Sequence, residues 1–189
     1  MSHVNALIPS LEERYGIPDR YRLVWHVDSH SLGLLTNAAQ GGRCHDLTFF
    51  IRRGEDYAVI RKPSYPIGLF RPPSGGVERG ESIEAGARRE AYEEAGVRMT
   101  LSRYLMRADV TFVGLGNVTV PWCTHVLVAD WRSGEPRPVD RREIEESRWA
   151  SDTELTTALQ DQLDASPDSG LRYRGWVQRA AFRALGRTE

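Results

Sequence analysis

Residues 82–95 constrain this chain more than any other stretch. They contain no proline and one glycine, Gly86, are rich in Ala, Glu and Arg, and are followed by Gly96. That composition favours a helix, with the trailing glycine as its C-cap. Directly upstream, residues 62–76 hold four prolines and three glycines, so most of that stretch must be loop. β-rich runs lie on both sides. Residues 47–52 (LTFFIR) and 57–61 (YAVIR) flank Arg53-Gly54-Glu55-Asp56, a hairpin signal, and residues 102–112 and 118–130 read as two more strands. A loop–helix unit set among strands points to an α/β fold.

Chemistry is concentrated in the same unit. Glu90, Glu93 and Glu94 fall at i, i+3 and i+4 and so project from one helix face. Three clustered carboxylates repel one another and raise each other's pKa unless a cation relieves them. All-oxygen ligands suit a hard divalent ion, Mg²⁺ or Mn²⁺. Gly75, Gly76 and Gly80 let the preceding loop turn tightly beside a ligand. The positive end of the helix dipole lies near that loop. Glu81, just before the helix, and Arg89, two turns into it, are placed to pair and pin the loop down. A glutamate-rich helix face alone is usually just solvated; the joint spacing carries more information.

Taken together, residues 75–97 resemble the box of the Nudix hydrolase family, G-x5-E-x7-R-E-U-x-E-E-x-G-U, where U is a bulky aliphatic residue. Gly75, Glu81, Arg89, Glu90, Glu93, Glu94, Gly96 and Val97 fill it without a gap. Ala91 is smaller than the usual first U residue, and Ser74 stands where many members have another glycine. The resemblance implies an α/β/α sandwich with a mixed, partly antiparallel sheet and a catalytic loop–helix–loop. It implies an enzyme that hydrolyses a diphosphate linkage in a nucleoside diphosphate derivative, of ADP-sugar or another type, by in-line attack of water. Glu90, Glu93 and Glu94 would hold Mg²⁺ (or Mn²⁺), with Glu93 or Glu94 also acting in catalysis. Ser74, Gly75, Gly76, Glu81 and Arg89 would form and orient the loop. Residues 143–149 (EIEESRW) resemble the family's late acidic segment, which makes Glu143 a candidate further ligand or general base, with Glu145 and Glu146 as alternates and Asp140 a weaker one. The other reading is a solvated charge run.

Beyond the box, Arg61, Lys62 and Arg71 flank the loop where family members often place a basic residue on the substrate phosphates; Arg61 is the first choice. Tyr65, Phe70, Phe112 and Trp122 could stack on a base, although aromatics in strands more often belong to the core. His125, in an apolar strand, reads as a hydrogen-bonded core residue, and His26, His30 and His45 show no metal spacing. Residues that mark particular substrate subfamilies are missing around Phe112 and Val113, so the substrate stays at the level of a nucleotide derivative.

Residues 1–43 read as an N-terminal extension with a short helix opening at Ser10, a strand over 21–27 that could pair across a homodimer, and a loop over 37–43. Residues 44–189 form the main domain, closing with a helix over 152–163 capped by Asp152 and another over 170–185. Two cysteines without CxxC spacing argue against a disulfide framework or cysteine zinc site and fit a reducing, cytoplasmic setting. No apolar run approaches a membrane span. A net charge of −1 excludes a basic surface spread over the whole molecule and, with it, sequence-specific nucleic-acid binding. That balance hides a local excess, since residues 75–97 carry six glutamates against three arginines. Lys62 is the single lysine beside 24 arginines, best explained by codon bias. Two rival readings are a non-catalytic nucleotide-sensing module, which usually loses box carboxylates, and an isoprenoid diphosphate isomerase-like enzyme, against which the intact box argues.

Overall fold

A computed structural model of the chain describes residues 3–186. In chain order the elements are helix α1 (His3–Tyr15), strand β1 (Asp19–His26), α2 (Ser29–Gln40), β2 (His45–Arg53), β3 (Asp56–Arg61), β4 (Ser74–Gly75), α3 (Ile83–Ala95), β5 (Arg98–Val113), β6 (Thr119–Ser133), β7 (Glu146–Ser151), α4 (Asp152–Thr156), α5 (Ala158–Asp164) and α6 (Ser169–Ala184). The strands form one mixed sheet in the order β1-β5-β6-β2-β3-β7, with β4 paired to β2. β1 lies parallel to β5 and β2 parallel to β6, while the β5–β6, β2–β3 and β3–β7 pairs are antiparallel.

Side-chain alternation splits the core between the two sheet faces. Leu47, Phe49 and Ile51 of β2 and Leu127 and Ala129 of β6 point to a layer holding Ile8 and Leu11 of α1 and Ile83, Ala87, Ala91 and Ala95 of α3. Phe50 of β2 and Val126 and Val128 of β6 point the other way, toward Tyr173, Val177, Ala181 and Phe182 of α6 and Leu32 and Leu35 of α2. Both faces are covered, so the central strands can be apolar at consecutive positions. The result is the expected α/β/α sandwich. Ala91 is fully buried, and with Ala87 and Ala95 it gives α3 a stripe of small side chains against the sheet.

The hairpin at residues 53–56 forms, with Arg53 opposite Asp56. Ser82 caps α3 by accepting from the Ala85 N–H, and the helix ends on Gly96 in the left-handed conformation. Three local expectations need correction. α1 begins well before Ser10 and runs through Pro9; Ile8 and Leu11 on either side of the proline are buried, and that burial outweighs one lost backbone bond. Residues 37–40, expected in a loop, complete α2. The helix expected over 152–163 breaks at Thr157, and its cap is Ser151 rather than Asp152. Both Thr156 and Thr157 hydroxyls donate to the Thr153 carbonyl, a side-chain competition that interrupts the ladder.

The N-terminal segment belongs to the same sheet. β1 pairs along its whole length with β5 of its own chain, from Asp19 opposite Met106 to His26 opposite Val113. The turn after it joins two helix starts. Asp28 accepts from the Ser31 N–H at 2.8 Å to cap α2, and from the Ser169 N–H at 2.8 Å and hydroxyl at 2.5 Å at the start of α6. Partial desolvation would raise the Asp28 pKa, but the hydrogen bonds from Ser169 and Ser31 outweigh it and hold the carboxyl well below the usual range. A group whose folded pKa is depressed stabilises the fold above its unfolded pKa and loses that contribution in acid. Asp28→Ala should therefore cost about 1–2 kcal/mol at neutral pH. The gap from wild type should shrink as the pH falls below about 4, the ordinary carboxylate range. Denaturant melts of both proteins across pH 3–7 would check it; a gap that stays constant would be the contrary result.

Candidate active site

The site is built where β4 brings the glycine loop against α3. Pairing of Leu47 with Gly75 and Thr48 with Ser74 ties the loop to the sheet at β2. From there the backbone meets the helix carboxylates. The Ser74 N–H donates to Glu94 Oε2 at 2.7 Å and the Gly76 N–H to Glu90 Oε1 at 3.0 Å. The approach is so close that a Cβ on Gly75 would lie 2.0 Å from Glu90 Cδ. On Gly86 a Cβ would lie 3.0 Å from Glu81 Oε2 and 3.3 Å from the Gly76 carbonyl oxygen. The glycine inside the helix thus makes room for the loop.

Arg89 locks the arrangement. Its guanidinium donates to Glu81 Oε1 at 3.2 Å and Oε2 at 3.1 Å, and to the Gly76 carbonyl, Glu90 Oε1 and Glu93 Oε2, each at 3.1 Å. Glu81 also accepts from the Glu78 N–H at 3.0 Å. Partial burial would push Glu81 up, but the bonds from Arg89 and the Glu78 amide leave it below its ordinary value. The pairing expected from the spacing is therefore formed.

The three box carboxylates differ in setting. Glu94 is 3% exposed, whereas 44% of the Glu93 side chain is open to solvent. Burial pushes the Glu94 carboxyl up to about 7, with Glu90 adding to the rise and Arg71 and Lys62 opposing it. Each carboxylate is held by its own backbone or Arg89 partner, and their oxygens are not gathered within 4.8 Å of one another; among the described residues only His45, Cys123 and His125 form a set that tight. A buried carboxyl with a raised pKa beside a second carboxylate is a donor set short of positive charge, which a hard divalent ion fits.

A cavity of about 360 Å³ opens at the carboxylate end. Ser74, Gly75, Glu90, Lys62 and Glu143 line that end, and Val27, Leu34, Leu35, Phe112, Trp122, Tyr173 and Arg174 line the rest. The candidates thus separate. Glu143 faces the cavity and is ion-paired to Lys62, whose ammonium also lies 4.0 Å from Glu94 Oε1. Glu145 and Glu146 instead pair with Arg61, at 2.8 and 3.4 Å. Arg61, the first choice for a phosphate ligand, is not among the cavity-lining residues, because β3–β7 pairing brings it opposite Glu146. Lys62 takes the position beside the carboxylates. Arg71 reaches the cavity but is 3% exposed, and it donates to the Tyr65 hydroxyl, the Pro72 carbonyl and the Ser74 hydroxyl. Phe112 lies on the cavity wall as a core side chain, 3% exposed.

Part of the cavity was not foreseen. Asp46 is buried, accepts from Trp122 Nε1 at 2.9 Å and Thr124 Oγ1 at 2.6 Å, and pairs with Arg174 at 2.5 Å. Tyr173 donates to the Thr124 hydroxyl at 2.8 Å, extending the network to α6. Burial would raise Asp46, yet Arg174, Thr124 and Trp122 hold it below its usual value. An aspartate leading into an apolar strand run was the available signal; its partner Arg174 lies far along the sequence and no spacing rule links them.

Comparison with known proteins agrees with this geometry. The family model described as NUDIX domain matches residues 46–171. The chain belongs to the Nudix hydrolase family. It is 30% identical over 103 residues to the NAD-capped RNA hydrolase NudC of Chromobacterium violaceum, covering 52% of this chain and 34% of that protein. It is 31% identical over 102 residues to the human mitochondrial NAD(P)H pyrophosphatase, covering 53% and 27%. The chain therefore spans about a third of the length of the curated relatives it matches. The solved structure of the Bacillus subtilis pyrophosphohydrolase BsRppH superposes with a TM-score of 0.55 at 18% identity, over 75% of this chain and 80% of that one, a likeness of fold.

Two substitutions test the geometry. Gly75→Ala should displace Glu90 and lower turnover on the order of a hundredfold, the cost of misplacing a catalytic group by about 1 Å, while the melting temperature changes little. Steady-state kinetics with a melt on the same sample would separate the two, and unchanged turnover would count against the close approach. Asp46→Asn removes the counter-charge of Arg174 and should cost about 3 kcal/mol of stability, read from urea unfolding; a loss under about 1 kcal/mol would mean that solvent screens the pair.

Proposed function

We propose that this chain hydrolyses the diphosphate linkage of a nucleoside diphosphate derivative, with Mg²⁺ (or Mn²⁺) held by Glu90, Glu93 and Glu94. The observation that carries the reading is the buried Glu94 carboxyl, raised to about 7, beside Glu90 at the end of a cavity of about 360 Å³. When bound, the ion neutralises charge on the bridging phosphates and makes a bound water more acidic. The protein supplies the rest. Arg89 holds Glu90 and Glu93 in place and fixes the loop carbonyl of Gly76. Lys62, between Glu94 and Glu143, offers its charge to the phosphates. Glu143, which lines the cavity, takes a proton from the attacking water and is released for that role when Lys62 turns to the substrate. Water attacks one phosphorus in line and a nucleotide phosphate leaves, so catalysis rests on positioning and charge stabilisation. Phe112 and Trp122 offer apolar faces to the base at the far side.

The relatives named above act on a NAD cap and on NAD(P)H. Dinucleotides joined through a diphosphate therefore belong in the first assays, alongside nucleoside diphosphate sugars and triphosphates. With Mg²⁺ or Mn²⁺ present, at least one member of such a panel should release a nucleotide monophosphate. Glu94→Gln should reduce that rate by on the order of a hundredfold or more. Release at the wild-type rate by Glu94→Gln would sink the mechanism. A panel with no hydrolysed member, but with one that binds, would favour a nucleotide-sensing module.

A further inference from the structure

On the sheet face that packs α1 and α3, opposite to Asp46 and Trp122, three side chains with metal-binding atoms come together although nothing in their spacing announces it. β2 and β6 run parallel with His45 opposite Cys123, and Cys123 and His125 alternate along β6. All three side chains therefore leave the sheet on one face. One ligand atom from each lies within 4.8 Å of the other two. His45 Nδ1 and His125 Nε2 are 3.2 Å apart, with the rings stacked at 15°.

The two nitrogens share a hydrogen bond, and the same separation would let both ligate one ion. Two imidazole nitrogens each about 2.0–2.1 Å from a tetrahedral Zn²⁺ lie about 3.3 Å apart. The second ring nitrogen of His125 is held by the Tyr104 hydroxyl at 2.6 Å, the outer partner that orients a ligating imidazole. His125 is fully buried and Cys123 and His45 are 6% and 7% exposed, so the ligands are pre-positioned and shielded. Asp109, opposite Cys123 on β5 and 40% exposed as a side chain, stands between the cluster and solvent, where it or a water could complete four ligands. Its partner Arg107 lies opposite His125, with a 2.8 Å ion pair to Asp109.

We propose that His45, Cys123 and His125 form a binding site for a borderline-soft transition-metal ion, Zn²⁺ or Co²⁺, separate from the carboxylate site. Two imidazoles and a thiolate prefer such ions to the hard, oxygen-seeking Mg²⁺. Binding forms two metal–nitrogen bonds and one metal–sulfur bond. The Cys123 thiol gives up its proton to solvent, one per ion, while the imidazoles bind as neutral ligands. The ion would clamp β2 to β6 just where the next residues, Asp46 and Trp122, turn to the opposite face and line the cavity.

The test uses the full chain, stripped with a chelator and titrated with Co²⁺. We expect one equivalent to bind with a thiolate-to-cobalt charge-transfer band and the intense visible bands of a tetrahedral ion. One equivalent of Zn²⁺ should abolish those bands and raise the melting temperature. Cys123→Ser should lose the charge-transfer band. Cys44→Ser, one residue before His45 and outside the set of close ligand atoms, should keep it, as should Glu94→Gln. The titration of wild-type protein stands even if the Cys123 variant folds poorly. Failure of folded wild-type protein to give the thiolate band at equimolar Co²⁺ would overturn the proposal. So would a band that survives Cys123→Ser or vanishes with Cys44→Ser. Nucleotide release in Mg²⁺ is read separately, so its failure leaves this outcome independent.

Discussion

One guanidinium organises the chemical end of the molecule. Arg89 bonds to both oxygens of Glu81, to the Gly76 carbonyl, and to Glu90 and Glu93. The first three bonds pin the loop to the helix, and the last two aim carboxylates that would otherwise repel. Arg suits the role because its five donors lie in one rigid plane and it keeps its charge; a lysine in the same place could not serve a forked carboxylate, a carbonyl and two further acids together. The geometry also explains why two glycines flank this contact in space. Gly75 passes under Glu90, where a Cβ would clash outright, and Gly86 under Glu81, where a Cβ would be tight.

Charge is distributed with similar economy around the cavity. The carboxylate end holds Glu94, Glu90 and Glu143 against Lys62 and Arg71, whereas the far end holds Asp46 against Arg174. The two ends differ in completeness. Asp46 is satisfied by Arg174, Thr124 and Trp122 and sits below its ordinary pKa, while Glu94 remains above its own. The two buried acids thus differ in direction, because Asp46 has a direct ion pair and two hydroxyl or indole donors whereas burial dominates at Glu94.

How much of this could be read from the residues depends on the range of the interaction. The hairpin at residues 53–56, the C-cap at Gly96 and the pairing of Glu81 with Arg89 are local, so spacing and turn chemistry disclosed them. The sandwich followed from the family resemblance. Arg61, expected on the substrate phosphates, pairs with Glu145 and Glu146, a contact made by β3–β7 register that spacing does not encode. The break at Thr157 was missed because two threonine hydroxyls bonding to one carbonyl outweigh an otherwise helical composition. Lys62, noted among the flanking bases, gained its place beside Glu94 and Glu143 only once the loop was folded. His45 and His125 showed no metal spacing because parallel strand register, not sequence distance, brings them together.

The parallel strands also bear on how the chain is assembled. β1 ends at His26, yet its partner positions on β5 extend to Val113. During synthesis the early strand therefore has no sheet to join until most of the box and all of β5 have emerged, and β2 must similarly wait for β6. Pairings of such long separation are slow to nucleate and leave apolar edges uncovered meanwhile. The N-terminal segment is made among the first, and its strand forms the edge of the sheet beside Val27, which lines the cavity.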